Sequence, residues 1–597
     1  MGNIYSERIE ALRKKMESEG LAAVIIPQAD AHLSEYLAPY WQVRRWFTGF
    51  TGSAGDLVVT KDGAFLWTDS RYFLQAGRQL ADTGVELMKD GLVSTPSIEQ
   101  YLANHLSKGQ RLGLDGMLFS AGRLQGLKDV LEPKGISIDC HYDPVGGMWK
   151  DRPALPDGKI YVHDEKYSGE SARNKISKIL AFSAEKGAGA CFISALDDIA
   201  WTLNIRCDDV KHTPVATSFL FLCEGDNILY VDDSKLTDDL RSYLQSQGVV
   251  TRPYKDVQAA LGSLPEGLKV LVEPSHTSGG IMDILGNRAV PVSFGPAALF
   301  KSCKNDIQIS GIRKAMERDG VALVKSFYEL EQRIASGTET TEMDVAEILH
   351  RHRSAGEHYK DESFGTIAGY GPHGAIVHYE ADSESNSHLK AEGLLLVDSG
   401  AQYLDGTTDI TRTICLGKAT AEEKRDFTLV MKGHIALATM MFPDDTRGAQ
   451  LDAIARQYLW RNGLSYLHGT GHGVGHFLGV HEGPQSIRLN YVDTPLQAGM
   501  ITSNEPGLYR ENVHGIRCEN LVLCQKALEN EFGTFLKFET LTLCPFDLQL
   551  FDTEIMSDEE ISWLNNYHAM VADRIMPLLD DDNLKTWLKE HTQPLTR

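Results

Sequence analysis

The sequence predicts a multidomain chain of mixed α/β and α+β class, in which two similar α/β domains lead into an α+β domain. Three observations carry this. The chain has 597 residues, and single hydrophobic cores stop growing at roughly 250 to 300 residues, so two to four domains are expected. The N-terminal part contains one pattern twice. The remainder of the chain alternates helical periodicity with strand-like runs.

In the first copy, the apolar run Leu21–Ile26 leads through Asp30 to Gly55–Val59, a Lys61-Asp62-Gly63 turn and Ala64–Asp69. In the second, Ala190–Ile193 leads through Asp197 to Ser218–Leu222, a Glu224-Gly225-Asp226 turn and Ile228–Asp232. Each copy reads as a strand, an excursion and a hairpin, because Gly-containing turns between β-rich runs are hairpin signals. Amphipathic stretches such as Ile176–Phe182 supply helices beside them. The turn-rich segment Trp149–Lys159 and the charged segment Lys301–Asp306 place breaks near residues 155 and 305. The expected domains are therefore 1–155, 156–305 and 306–545, with 546–597 as a helical C-terminal extension.

The third region opens on a helical pattern, Ile312, Met316, Val321, Val324, Phe327 and Leu330. Thr420 with Glu423 forms a capping box before an apolar-periodic stretch to Met441. Leu451, Ile454, Ala455, Tyr458 and Leu459 have helical spacing, with Gly463 where a C-cap glycine belongs. Strands lie between these helices. Beyond Pro545, Ile561–Leu579 is again helical and reads as an appendage rather than a domain.

Composition narrows the function classes. Apolar residues are 42% and charged residues 24%, which is ordinary for a packed globular chain. The net charge of −23 argues against a nucleic-acid partner, which needs a concentrated basic surface, and against anionic membranes. Nine cysteines, an odd number without C-x-x-C pairs, suggest neither a disulfide framework nor a thiolate zinc site and fit a reducing cytosol. There is no signal-peptide pattern and no apolar run near the ~18 residues a membrane span needs, so a soluble, cytoplasmic protein is expected. Met1–Ser6 fits the short myristoylation pattern, but the pattern is loose and is read as chance.

Five donors share strand-end or glycine-rich settings: Asp398 in LLLVDSG, Asp409 in DGTTDITRT, His472 in HGTGHGVG, Glu505 in NEPG and Glu519 in GIRCEN. Asp398 ends the apolar run Leu394–Val397, where a carboxylate must be paired, hydrogen-bonded or metal-bound. Asp409 shares a face with Thr407 and Thr411 if the segment is extended. On a strand Gly515–Leu523, Arg517 and Glu519 face one way and Cys518 the other, which makes Cys518 a poor ligand candidate. Gly469, Gly471, Gly473 and Gly475 permit unusual φ angles and close approach around His468 and His472. Pro506-Gly507 would end the strand that carries Glu505 and expose its carboxylate. Each residue alone has an ordinary role as cap, core histidine or solvated turn; their joint occurrence outweighs it. Four carboxylates and one imidazole form a hard donor set that suits two Mn²⁺ or similar divalent ions. Two such ions ~3.5 to 4 Å apart would lower the pKa of a shared water for attack on an amide.

On these motifs the chain resembles the pita-bread metallopeptidases and, within them, the cytosolic three-domain aminopeptidase P enzymes of family M24B. The resemblance extends to SEYLAP, RRWFTGFTGSAG, TDSRYFLQA, SALDDIAWTLNIR and GPHGAIVHYEA. It implies two creatinase/prolidase-type N-terminal domains, a pita-bread catalytic domain and removal of an N-terminal residue that precedes proline. It further implies that Asp398 binds one ion, His472 and Glu505 the other, and Asp409 and Glu519 bridge them, with Glu505 also managing the proton of the attacking water. His378, His468 and His481 match active-site histidines that frame the substrate, His481 facing the developing oxyanion. Arg517 matches an arginine near the site, as a salt bridge to a ligand carboxylate or as a substrate contact. A homodimer is implied as well. Asn504 stands where relatives often carry Asp, and Cys518 where an aliphatic residue is usual; both sit beside ligands, so metal affinity or oxidation sensitivity would differ. Prolidase uses the same ligands on Xaa-Pro dipeptides, but its layout has two domains, and methionine aminopeptidase lacks the leading domains. A pita-bread module that only binds proteins would have lost ligands, and none is lost here.

Overall fold

The computed structural model describes residues 3–597; Met1 and Gly2, and with them the start of the myristoylation-like pattern, lie outside the described residues. The chain forms two compact units, one of residues up to Asp164 with Glu170–Ala298, the other of Glu165–Gly169 with Leu299–Arg597.

The first unit contains the repeat. Strands β1 (Ala23–Ile26), β2 (Asp56–Thr60), β3 (Ala64–Thr68), β4 (Glu86–Lys89), β5 (Arg111–Gly113) and β6 (Ser137–Asp139) form a six-stranded sheet of order β4-β3-β2-β1-β5-β6. Helix α1 (Ala172–Glu185) then leads to β7 (Ala190–Ile193), β8 (Ser218–Cys223), β9 (Asn227–Val231), β10 (Val249–Pro253), β11 (Val270–Val272) and β12 (Ala289–Pro291). Their order, β10-β9-β8-β7-β11-β12, is the same path six strands on. Both expected hairpins are present: β2 pairs antiparallel with β3, and β8 with β9. The opening strand of each copy is buried along its whole length because it lies inside a mixed sheet.

The second unit is built on helix α2 (Asp306–Ser336), which starts at a capping box of Asn305 and Gln308. Strands β13 (Ile367–Tyr370), β14 (Leu394–Ser399) and β15 (Ile410–Cys415) form a three-stranded antiparallel sheet. Helix α3 (Ala421–Ala438) starts from the Thr420–Glu423 capping box. After β16 (Met441–Pro443), α4 (Gly448–Trp460) ends at Trp460, and Gly463, at φ 69°, turns the chain so that the Leu464 amide donates to the Leu459 carbonyl. Next come strands β17 (Gly471–Gly473), β18 (Glu482–Ile487), β19 (Ile501–Asn504), β20 (Gly507–Arg510), β21 (His514–Arg517), β22 (Asn520–Asn530) and β23 (Gly533–Thr540). All but β20 and β21 join β16 in a six-stranded sheet of order β16-β23-β22-β19-β17-β18, and β20 pairs with β21.

The tail differs from the expected appendage. Helix α5 (Asp558–Ile575) and the segment after it bury Leu564, Tyr567, Val571, Ile575, Leu584, Trp587 and Leu588 in the same core as Ile312 of α2 and Leu395 of β14. Its apolar stripe covers that core, so the tail completes the second unit rather than decorating it.

Candidate metal centre

The two sheets of the second unit deliver the five donors from strand ends. Asp398 of β14 lies opposite Thr411 of β15, and Asp409 immediately precedes β15. Strands β19 and β22 pair from Ile501↔Leu523 to Asn504↔Asn520. Glu505 and Glu519 are thus the next residues outward on the two chains, leaving the same end of one strand pair. His472 sits on the short β17, whose Gly473 pairs with Thr502 of β19.

Two local expectations are corrected. Residues 515–523 do not form one strand: β21 stops at Arg517, β22 starts at Asn520, and Cys518 and Glu519 lie at the change of partner from β20 to β19. Nor is Asp409 inside a strand with Thr407. Thr407 donates instead to Gln402 Oε1 (2.8 Å), and only Thr411 serves the donor cluster, giving its hydroxyl proton to Glu519 Oε2 at 2.7 Å.

The donors converge. Ligand atoms of Asp409, His472 and Glu519 lie within 4.8 Å of one another. His472 Nε2 is 3.4 Å from Asp409 Oδ2 and 3.5 Å from Glu505 Oε1. Its Nδ1 lies 2.9 Å from the Gly473 carbonyl, an acceptor only, so Nδ1 carries a proton and Nε2 is the ring atom turned to the carboxylates. The Ser503 hydroxyl donates to Glu505 Oε1 (3.1 Å) and accepts from the His472 amide (2.9 Å), tying two donors to one side chain. Asp398 Oδ2 accepts from Arg517 Nη2 at 2.7 Å, while its buried Oδ1 has no hydrogen-bond partner among the described residues.

Electrostatics shows what the set is suited to hold. Burial pushes Asp398 up to about 6, with Arg517 opposing and Asp409 adding to the rise. Glu505 is raised and Glu519 lies well above the usual carboxylate range, in both cases by burial first, with the carboxylate of Asp409 adding to it. Burial opposes the His472 imidazolium, yet Asp409 and Glu505 outweigh it and lift the group to about 9. One guanidinium and one imidazolium cannot balance four clustered carboxylates in a buried site. The orphaned Asp398 Oδ1 and the hard donor set fit divalent cations, which would supply the missing positive charge.

Around this cluster, His481 packs edge-on against His472, ring centroids 4.4 Å apart. His468 Nε2 is 2.8 Å from Tyr509 Oη, and that hydroxyl accepts from Arg517 Nη1 at 2.7 Å. Arg517 Nη2 also donates to the Val377 carbonyl (3.2 Å), next to half-buried His378 in the turn after Gly371–Ala375. Arg517 therefore bridges Asp398, Tyr509 and the His378 turn, and its salt bridge to Asp398 is formed. Glu482, beside His481, is held by the buried ammonium groups of Lys301 and Lys304.

Tyr509, Ser503 and Thr411 carry no functional mark in the sequence, although Tyr509 ends the NEPGLY motif and Thr411 lies two residues from Asp409. Nothing in a hydroxyl's local pattern shows which carboxylate it will meet after strands pair. The glycines act through close approach rather than unusual φ. A Cβ on Gly471 would lie 2.1 Å from the Ser503 carbonyl oxygen and one on Gly473 2.2 Å from that of Glu482, while none of the four has positive φ. Cys518 is fully buried, its thiol pushed by burial up to about 12, which is no ligand's setting.

Comparison with known proteins adds independent findings. Residues 310–526 match the model of metallopeptidase family M24, and 534–595 that of its C-terminal region. Residues 8–142 and 151–308 each match a creatinase/prolidase N-terminal domain. The chain is 40% identical to aminopeptidase P2 of Arabidopsis thaliana, covering 100% of this chain and 89% of that one. It is 37% identical to Xaa-Pro aminopeptidase 1 of Dictyostelium discoideum, covering 100% and 97%. Among solved structures, X-prolyl aminopeptidase from Caenorhabditis elegans, described as a cytosolic enzyme with a di-nuclear active site, superposes with a TM-score of 0.95 at 34% identity, covering 99% of this chain and 100% of that one.

Proposed function

The chain belongs to metallopeptidase family M24, in its aminopeptidase P branch, and from that membership we infer that it is a metal-dependent Xaa-Pro aminopeptidase, hydrolysing the bond between an N-terminal residue and a following proline. The observation that carries this is the convergence of Asp398, Asp409, His472, Glu505 and Glu519 on one buried spot, with more carboxylates than Arg517 and His472 can balance. Full-length relatives that share all the leading domains favour this reading over prolidase, and the intact donor set favours it over a binding module.

In this reading Asp398, Asp409, His472, Glu505 and Glu519 would hold two divalent ions; manganese suits the oxygen-rich set. Bound there, the ions supply Lewis acidity and an acidified water. The chain's own groups do the rest. Thr411 and Ser503 fix the rotamers of Glu519 and Glu505, and Arg517 holds Asp398 ionised. Glu505 is the most exposed of the donor carboxylates whose affinity for a proton is raised, its side chain 18% accessible, so it takes the proton released by the attacking water and passes it to the leaving amine. His481, against His472, donates to the oxyanion, while His378 and His468 frame the substrate on either side of the Arg517–Tyr509 pair. We place the enzyme in the cytoplasm as a homodimer acting on peptides.

Asp409→Ala and His472→Ala test the site. Each is expected to lower bound metal, measured by elemental analysis, and to abolish release of the first residue from Xaa-Pro-Yaa peptides. A variant with undiminished metal and turnover would remove that residue from the site.

A further inference from the structure

Behind the donors lies a buried histidine to which neither the sequence motifs nor the catalytic reading gives a part. His434 of α3 is fully buried, and its Nδ1 lies 3.1 Å from the Asn504 carbonyl and 3.2 Å from the Cys518 carbonyl. Both partners accept only, so Nδ1 carries the proton and shares it between them. Each of these carbonyls belongs to the peptide unit that immediately precedes a donor carboxylate, Glu505 or Glu519.

The opposite edges of the same two peptide units are also fixed. The Glu505 amide donates to the Thr470 carbonyl at 2.8 Å, two residues before His472. The Glu519 amide donates to the Thr411 carbonyl at 3.1 Å, two residues after Asp409. Each peptide plane therefore has one edge tied to another donor-bearing segment and the other tied to His434. The imidazole is itself located. Its Nε2 accepts from Asn520 Nδ2 (3.3 Å), its main-chain carbonyl accepts from Asn504 Nδ2 (2.9 Å), and Phe546 and Trp563 pack edge-on at 5.5 and 5.9 Å. Asn504 and Asn520 are the last register pair of β19 and β22. Burial and nearby Arg412 hold the ring neutral, down to about 3, so this hydrogen-bond pattern persists over the working pH range.

We propose that His434 is a positioning residue for the metal centre: its one N–H spans the peptide units ahead of Glu505 and Glu519 and so sets the separation and direction of those two carboxylates. It touches neither substrate nor ion. The proposal rests on the two-ion reading above. It also gives Asn504 a part, as the residue that returns a hydrogen bond to the helix carrying His434.

The test is Mn²⁺ titration followed by EPR on the full chain, with wild type, His434→Leu, His434→Asn and His434→Gln. Wild type binding two Mn²⁺ per chain supports the two-ion reading, and failure of that control would count against that reading rather than against His434. Asparagine places an amide N–H near the Nδ1 position and should keep Mn²⁺ affinity within about threefold. Glutamine and leucine remove the donor from that position and should weaken it ~10- to 100-fold, the range seen when a partner of a metal ligand is lost. If the leucine variant does not fold, the asparagine–glutamine comparison decides. A role confined to packing would lower thermal stability in all variants and leave Mn²⁺ affinity equal between asparagine and glutamine, and that equality would overturn the proposal.

Discussion

Arg517 joins four segments through one side chain, giving Nη2 to Asp398 and the Val377 carbonyl, Nη1 to Tyr509 and Nε to Thr411 Oγ1. A lysine keeps the charge but offers a point donor instead of a planar fork. Arg517→Lys should therefore retain metal while kcat falls by roughly 10- to 100-fold through loosening of Asp398 and Tyr509; unchanged kcat would reduce Arg517 to a spectator. His481→Ala should leave metal content intact and lower kcat by about 100- to 1,000-fold, the usual cost of removing an oxyanion donor. An effect on KM alone would instead make His481 a substrate-framing residue. At this scale the cluster of candidate donors was legible, because carboxylates at strand ends and a histidine among glycines stand out against ordinary patterning. Tyr509, Ser503 and His434 were not, because their partners lie on other segments and are brought near only by strand pairing and by packing of α3 beneath the sheet.

At the scale of elements, the glycines around His472 separate into two kinds. A Cβ on Gly471 or Gly473 would strike backbone at 2.1 or 2.2 Å, whereas on Gly469 its nearest neighbour is a side-chain atom at 3.4 Å. Gly471→Ala and Gly473→Ala should force β17 away from its neighbours, costing about 1 to 3 kcal/mol of stability and most of the metal affinity; Gly469→Ala should behave as wild type. Urea unfolding with metal analysis distinguishes these outcomes. The break at Cys518–Glu519 has the same origin: alternation of side chains suggests one strand, but the chain must leave β20 for β19 at that point, and period-two patterning carries no information about a change of partner. On α5, His568 is fully buried, with Nε2 accepting from the Phe546 amide at 3.0 Å. Burial, then Arg412, holds it down at about 3. The unfolded chain binds this proton near pH 6.5 and the folded one does not, so stability falls as pH drops from about 6.5 towards 3, by about 1.4 kcal/mol per pH unit for this residue. His568→Gln should reduce the difference in urea midpoint between pH 7 and pH 5; an unchanged difference would show that the ring is free to protonate in the folded state.

Across the whole molecule, the duplication was readable because each copy repeats strand, excursion and hairpin, and the two sheets take identical strand paths. The tail reads as an appendage in the sequence because its apolar stripe gives no clue to which surface it covers. In the structure Tyr567 accepts from Arg412 Nη2 (3.0 Å) and donates to the Cys544 carbonyl (2.9 Å), while Arg412 donates to the Glu519 carbonyl at 2.6 Å. A chain ending at residue 545 should therefore fail to give a folded second unit, each buried side chain lost from α5 removing about 1.5 to 3 kcal/mol; a monodisperse, metal-binding product would contradict this. The central claim is that five converging donors make a two-ion site for cleavage before proline. Its most direct measurement is product analysis on the purified chain loaded with Mn²⁺, using a peptide series of Xaa-Pro-Yaa, Xaa-Pro and Xaa-Ala-Yaa, with metal content determined on the same sample. The account predicts two ions per chain and release of the first residue from Xaa-Pro-Yaa in strong preference to the other two. Cleavage of the Xaa-Pro dipeptide alone, or no cleavage with both ions bound, would contradict it.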